Sequence, residues 1–286
     1  MSLDLGLKDV HVLITGAAGT FCHINDYYVC LIKADQKSTG GIGLEAVQLF
    51  RQIGARVTCH YNTQLGELSN IPNIVPVQAD VRDESSVERL FQEAAQKNGG
   101  PVSVLIVNHG IWPTNDTPLA DMELSQWQNT LAVNLTGPFL LCRAYQRALR
   151  DAPQSVKDTA NIIFVGSTAG KFGEAGHGDY AASKSALMQG MTLTLKNELV
   201  RIAPRGRVNS VSPGWVATPM AQEALKDRGF VERALATTPL QKVAAPGDVA
   251  RQIAVTASPL LSGHVNGMNI MVDGGMEGRL LFPPGS

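Results

Sequence analysis

Val10-His11-Val12-Leu13-Ile14-Thr15-Gly16-Ala17-Ala18-Gly19 decides the fold. A short apolar run with no polar alternation predicts a strand buried on both faces, and such strands belong to parallel sheets. The glycines that follow let the backbone turn sharply and approach a ligand closely. A strand, a glycine turn and a helix N-terminus together make a cradle for a diphosphate, because the first N–H groups of a helix have no partner within it. The stretch therefore predicts an α/β fold of the dinucleotide-binding kind.

The helix does not open at once. The chain first runs through Thr20 to Gly40, and only Gly41-Ile42-Gly43-Leu44-Glu45-Ala46-Val47-Gln48-Leu49-Phe50 reads as that helix. Without Thr20 to Gly40 the turn would be continuous, Thr-Gly-Ala-Ala-Gly-Gly-Ile-Gly, so the segment reads as an insertion. Phe21, Tyr27, Tyr28, Val29, Leu31 and Ile32 make it too apolar for a flexible polar loop. It is either a surface hairpin, since added loop length costs little entropy, or a translated intron retained in frame. The candidate diphosphate-binding residues at the turn are Gly16, Gly19, Gly41, Ile42 and Gly43.

Outward from the turn, apolar runs alternate with helical patterns. Further strands are expected at Gly54 to Tyr61, Ile74 to Val81, Val102 to Val107, Ala160 to Val165, Arg207 to Val211 and Met268 to Gly275. This predicts a doubly wound, Rossmann-type parallel sheet of seven strands with helices on both faces. Residues 1–286 read as a single domain, with the insertion at 20–40 and a substrate lid at about 216–242. Long helices are expected over Trp127 to Tyr145 and Tyr180 to Ile202.

The 286 residues are 44% hydrophobic and carry a net charge of −1 with no run of Lys or Arg. That supports a full core and argues against nucleic acid or an anionic membrane as partner. A small molecule is the expected partner. Cys22, Cys30, Cys59 and Cys142 show no Cys-x-x-Cys spacing, so free thiols and no metal site are expected. With no secretory leader or long apolar span, the expected location is the cytoplasm.

The end of the second strand carries Tyr61 and Asn62, where an acid would grip the ribose hydroxyls of NAD. The missing carboxylate favours NADP over NAD. Asp80, ending the third strand, is placed to meet the adenine, with Val81 beside it in the cofactor-binding set; Asn108 and Gly110 follow the fourth strand and approach the cofactor. Pro213 and Gly214 turn the backbone beside the nicotinamide, and Val216 and Thr218 would meet its carboxamide. His109 reads as a neutral histidine packed near the cofactor. Asn134 lies in mid-helix at a cost in propensity, which holding an ordered water would explain.

Tyr180-Ala181-Ala182-Ser183-Lys184 puts a phenol and an ammonium one helical turn apart on one face. A nearby positive charge favours phenolate, so the pairing is expected to lower the Tyr180 pKa and make it a usable acid or base. Ser167 would hold a substrate oxygen. Trp112, Phe172, His177, Trp215 and Met220 would line a mixed apolar pocket.

Together these residues resemble the short-chain dehydrogenase/reductase family of the single-domain type, from about Leu7 to Gly275 apart from the insertion. The motifs are Thr15-Gly16 with Gly19, Gly41 and Gly43; Asp80; Asn108 with Gly110; Asn134; Ser167, Tyr180 and Lys184; Pro213-Gly214; and Asp273-Gly274-Gly275. The resemblance implies an NADPH-dependent ketoreductase acting on a carbonyl or alcohol. Tyr180 would give the proton, Ser167 would polarise the oxygen, Lys184 would bind the ribose, and Asn134 would hold a relay water. It also implies a homo-oligomer, dimer or tetramer. His109 departs from the family's usual Ala. The alternative is a catalytically silent relative whose cofactor turn the insertion has spoiled.

Overall fold

All four residues of β1 (His11–Ile14) are buried, as an apolar run at the centre of a sheet requires. The computed structural model describes residues 4–18, 41–113 and 115–278; Gly19 and the insertion Thr20 to Gly40 lie outside them. The remaining elements follow in order: α1 (Ile42–Gln52), β2 (Arg56–Tyr61), β3 (Val75–Gln78), α2 (Glu84–Lys97), β4 (Val104–Val107), α3 (Leu124–Leu131), α4 (Gly137–Arg150), α5 (Gln154–Lys157), β5 (Asn161–Val165), α6 (Ala169–Phe172), α7 (Gly178–Ser185), α8 (Thr192–Leu199), β6 (Arg207–Pro213), α9 (Gln222–Lys226), α10 (Arg228–Leu235), α11 (Pro246–Ala257) and β7 (Asn269–Val272).

The strands form one seven-stranded sheet in the order β3-β2-β1-β4-β5-β6-β7. Every pairing in it is parallel. The strand order reverses between β1 and β4, which opens a crevice at the carboxyl ends where open α/β sheets bind their ligands.

Side chains alternate across the strands, so each face has its own core. Leu13, Leu105, Ile162, Phe164 and Val208 point to the side covered by α2, α4 and α8, against Leu90, Leu141, Tyr145 and Leu199. Val12, Ile14, Ile106, Ile163 and Val211 point the other way, against Leu44, Phe50, Val249 and Ile253 of α1 and α11. Each such side chain taken fully out of water contributes about 1.5–3 kcal/mol.

Local chemistry sets several boundaries. Asp83 caps α2 by accepting from the Ser85 N–H at 3.0 Å. At the C-terminal end of α11, the buried Arg207 guanidinium donates to the carbonyls of Thr256 (2.8 Å) and Ala257 (2.9 Å), a cation set against a helix C-terminus. The two long helices expected from the sequence are each interrupted. A π-helical turn, Ala132–Thr136, separates α3 from α4, and another, Ala186–Met191, separates α7 from α8. Such turns often mark functional positions. The expected lid region contains α9 and α10.

Candidate active site

Gly16 bends the chain out of β1 with φ +63°, and an added Cβ would stand 2.8 Å from the His109 backbone. Only glycine meets both demands. Two buried histidines brace this turn. The Gly16 N–H donates to Nδ1 of His60 (3.2 Å), whose Nε2–H donates to the Ala79 carbonyl (3.0 Å). His109 Nδ1 meets the Thr15 hydroxyl (2.8 Å) while its Nε2–H donates to the Val133 carbonyl (3.1 Å). The His60 ring thus gives one hydrogen bond and takes one, which only the neutral form can do. Burial favours the neutral form of His109 as well, in line with its reading from the sequence.

Burial holds the His109 pKa down at about 3 and that of His11 at about 4, and lowers His60 as well. In the unfolded chain these groups protonate near 6.5, so between that value and about 4 the unfolded state binds more protons. The folded state is therefore expected to lose about 1.4 kcal/mol per histidine for each pH unit of acidification in that window. Urea unfolding at stepped pH checks this; a His109→Gln variant should show a shallower decline, and an equal slope would refute it.

The diphosphate cradle faces the same crevice. Gly41 is the N-cap of α1, and none of the described residues lies within 4 Å of where its Cβ would be. Gly43 is the opposite case: a Cβ there would meet the Gly16 carbonyl oxygen at 2.5 Å and Asn108 Nδ2 at 2.6 Å. Asn108 donates from Nδ2 to the carbonyls of Thr15 (3.0 Å) and Gly16 (3.2 Å), tying β4 to the turn. The helix start at Gly41 and the close-packed Gly16 and Gly43 fit a dinucleotide diphosphate. Gly19 lies outside the described residues.

At the neighbouring strand ends, Tyr61 is half-buried and Asn62 exposed, with no carboxylate on either. Asp80 accepts from the Arg82 guanidinium at 2.7 Å, which holds its carboxyl below the usual range. Val81 is buried. Across the crevice, Gly214 donates to the Val272 carbonyl at 3.1 Å, while Val216 is buried beside Thr218.

Tyr180 and Lys184 lie on α7, with Lys184 Nζ 5.7 Å from the centre of the Tyr180 ring. The expected lowering of the phenol pKa is corrected here. Burial pushes Tyr180 up to about 12, against hydrogen bonding from Ser167, and the Glu174 carboxylate adds to the rise. Lys184 does not offset this. Its Nζ donates to the Val165 carbonyl at 2.8 Å, and burial brings its own pKa down to about 8. A phenol kept protonated at neutral pH is a proton donor.

Asn134 lies in the first π-helical turn, and its side chain clamps the backbone after β4. Oδ1 accepts from the Ile111 N–H (2.8 Å), and Nδ2 donates to the Ile111 carbonyl (2.8 Å) and to Ser183 Oγ (3.3 Å). A Cβ on Gly110 would sit 3.3 Å from Asn134 Oδ1 and 3.4 Å from Lys184 Nζ. The three residues therefore converge on one spot. Asp179, fully buried, accepts from the Tyr180 N–H (2.8 Å) and the Thr130 hydroxyl (2.7 Å), fixing α7 on α3.

A cavity of about 430 Å³ opens in front of Tyr180 and Ser167, with Ile42 and Pro213 also on its wall. Trp112, Phe172, Trp215 and Met220 line it as expected. His177 does not. It is buried behind Trp112, ring centroids 4.4 Å apart, and bonds Asp116 at 3.0 Å. Glu174, unremarked in the sequence, takes a place on the wall. His60 was also missed, although a histidine in the buried stretch of β2 signals that both ring nitrogens are in use. Among the described residues no cluster of His, Cys, Asp and Glu fits a metal ion, and no helix is long and apolar enough to cross a membrane.

Comparison with known proteins agrees with this geometry. A family model described as enoyl-(acyl carrier protein) reductase matches residues 37–277. The chain is 34% identical over 257 residues to the 3-oxoacyl-(acyl-carrier-protein) reductase FabG of Thermotoga maritima, covering 87% of this chain and 97% of that one. It is 37% identical over 202 residues to the (3R)-3-hydroxyacyl-CoA dehydrogenase of Mus musculus, covering 70% and 72%. A solved short-chain dehydrogenase/reductase from Brucella melitensis, titled glucose/ribitol dehydrogenase, superposes with a TM-score of 0.78 at 28% identity, covering 97% of this chain and 99% of that one. With the sheet order, the cradle and these relatives in agreement, the chain belongs to the short-chain dehydrogenase/reductase family of NAD(P)-dependent oxidoreductases.

Proposed function

We propose that the protein reduces a ketone to a secondary alcohol, with NADPH favoured over NADH. The observation that carries this is the protonated Tyr180 beside Ser167 on one cavity wall. The bound nicotinamide supplies a hydride for the carbonyl carbon. Tyr180 then gives the oxygen its proton, while Ser167 holds that oxygen and meets its developing charge. Lys184 takes the nicotinamide ribose. Its charge and the main-chain carbonyl of Asn134 would hold a water that returns a proton to Tyr180.

Gly16, Gly19, Gly41, Ile42 and Gly43 hold the diphosphate in this reading. Asp80 and Val81 lie on the adenine side, Asn108 and Gly110 approach the cofactor closely between the two ends, and Pro213, Gly214, Val216 and Thr218 line the nicotinamide side. The segment of α9 and α10 serves as the lid. Its flanks supply Met220 and Thr237 to the cavity. A homo-oligomer would cover Phe139 and Leu193, which lie 47% and 42% exposed on α4 and α8.

The test is loss of NADPH absorbance with a panel of ketones at neutral pH. Failure of every ketone, with no change in tryptophan fluorescence on adding NADPH, would overturn the proposal. The NADP preference is tested separately by Tyr61→Asp. A carboxylate there accepts from ribose hydroxyls and repels a 2′-phosphate, so the NADPH-to-NADH ratio of kcat/KM is expected to fall about 10- to 100-fold. An unchanged ratio would place the selection elsewhere.

A further inference from the structure

The cavity wall beside Tyr180 carries a carboxylate that the reaction does not use. Glu174 Oε1 accepts from the Trp112 indole N–H at 3.3 Å and lies 4.0 Å from His177 Nε2. His177 spends its shorter bond on Asp116, at 3.0 Å. Both neighbours meet the same oxygen, and neither is close. They hold the carboxylate against the wall, with 21% of the side chain still open.

A carboxylate has about four acceptor sites, so this one keeps capacity for a donor brought by the occupant. A plain alkyl chain would strip its water and return nothing, which leaves a polar group unpaired. Sites with such a group discriminate strongly against the analogue that lacks the partner. An anionic substrate arm would be repelled. Burial also pushes the Glu174 carboxyl up, making its charged form costly. A hydroxyl serves either protonation state, because it both donates and accepts. An ammonium needs the ionised form. The other walls near Glu174, including Trp112, Trp215 and Met220, suit a carbon skeleton rather than a second charge.

We propose that Glu174 is a specificity-determining residue that selects ketones bearing a neutral hydroxyl group near the carbonyl over plain alkyl ketones. The identity of the reacting group rests on the ketoreductase reading; the binding preference does not.

Two arms test it. In the first, kcat/KM with NADPH is measured for 2-hydroxycyclohexanone and cyclohexanone in the wild type, Glu174→Gln and Glu174→Leu. The hydroxyl's intrinsic effect on carbonyl reactivity cancels when the variants' ratios are compared. The preference for the hydroxyketone is expected to fall about 10- to 100-fold in Glu174→Leu, and by less in Glu174→Gln, whose amide oxygen still accepts. In the second arm, quenching of tryptophan fluorescence reports binding of trans-cyclohexane-1,2-diol, cyclohexanol and 2-aminocyclohexanol. Trp112 and Trp215 are two of the chain's three tryptophans and line the cavity. The diol is expected to bind tighter than cyclohexanol in the wild type but not in Glu174→Leu.

Turnover of both ketones with a ratio unmoved by Glu174→Leu would overturn the selection and leave the reductase reading standing. A Glu174-dependent preference for the diol without any Tyr180-dependent turnover would overturn the reductase reading and support the selection. Tighter binding of the amino alcohol than of the diol, lost in Glu174→Leu, would overturn the choice of a neutral donor.

Discussion

Tyr180→Phe is expected to lower kcat/KM for ketone reduction by about 10²- to 10⁴-fold, the usual worth of a positioned general acid. The cofactor affinity should change little. The substitution removes one hydroxyl and keeps the ring, so the face against Lys184 Nζ remains in place. The Asp179 bond to the residue-180 N–H is a backbone contact that Phe retains. A loss of activity would thus report the missing proton and not a displaced helix. The measurement is steady-state kinetics with NADPH, paired with a fluorescence titration of cofactor. Turnover within a few fold of wild type would refute the assignment of Tyr180 as the acid.

The second large effect is expected at Gly43. Replacing it with Ala introduces a methyl group 2.5 Å from the Gly16 carbonyl oxygen and 2.6 Å from Asn108 Nδ2. The first of these is backbone, held in turn by His60 and Asn108, so it cannot swing aside as a flexible side chain would. Overpacking of this kind costs about 1–3 kcal/mol. The cofactor Kd should rise at least about tenfold because the cradle itself must widen. Gly41→Ala is the control: its Cβ meets none of the described residues within 4 Å and its φ of −82° suits any residue, so thermal stability should hold. Equal melting temperatures and cofactor affinities in Gly43→Ala and wild type would show that the turn yields more than its packing indicates.

Much of this was legible in the sequence because the signals are local. Unbroken apolar runs such as Val104 to Val107 mark buried parallel strands wherever they occur, and Gly16 marks a bend that no other residue tolerates. Tyr180 and Lys184 share a helix face by spacing alone. The phenol's pKa was not legible, because it depends on how deeply the pair is buried and where Lys184 points its charge. That Lys184 reaches the Val165 carbonyl, 19 residues away at the end of β5, is a tertiary contact. The role of Asn134 likewise needed three dimensions: its partner Ile111 stands 23 residues away in the chain. Glu174 and His177 are neighbours in sequence, yet one faces the cavity and the other turns behind Trp112. No periodicity distinguishes them in a glycine-punctuated loop.

The π-helical turn at Ala186–Met191 bears on which deletions the chain tolerates. It holds one residue more than an α-helical path would, so α8 leaves it rotated by about 100° relative to a continuous helix. Thr192 records the wider loop by donating its hydroxyl to the Leu187 carbonyl, five residues back. Removing a single residue such as Gly190, whose missing side chain would meet none of the described residues within 4 Å, looks harmless by packing. It would nevertheless rewind the turn and swing Leu195 and Leu199 off the sheet while Tyr180 stayed where it is. In this helix the phase matters more than the length: losing one residue is worse than exchanging several.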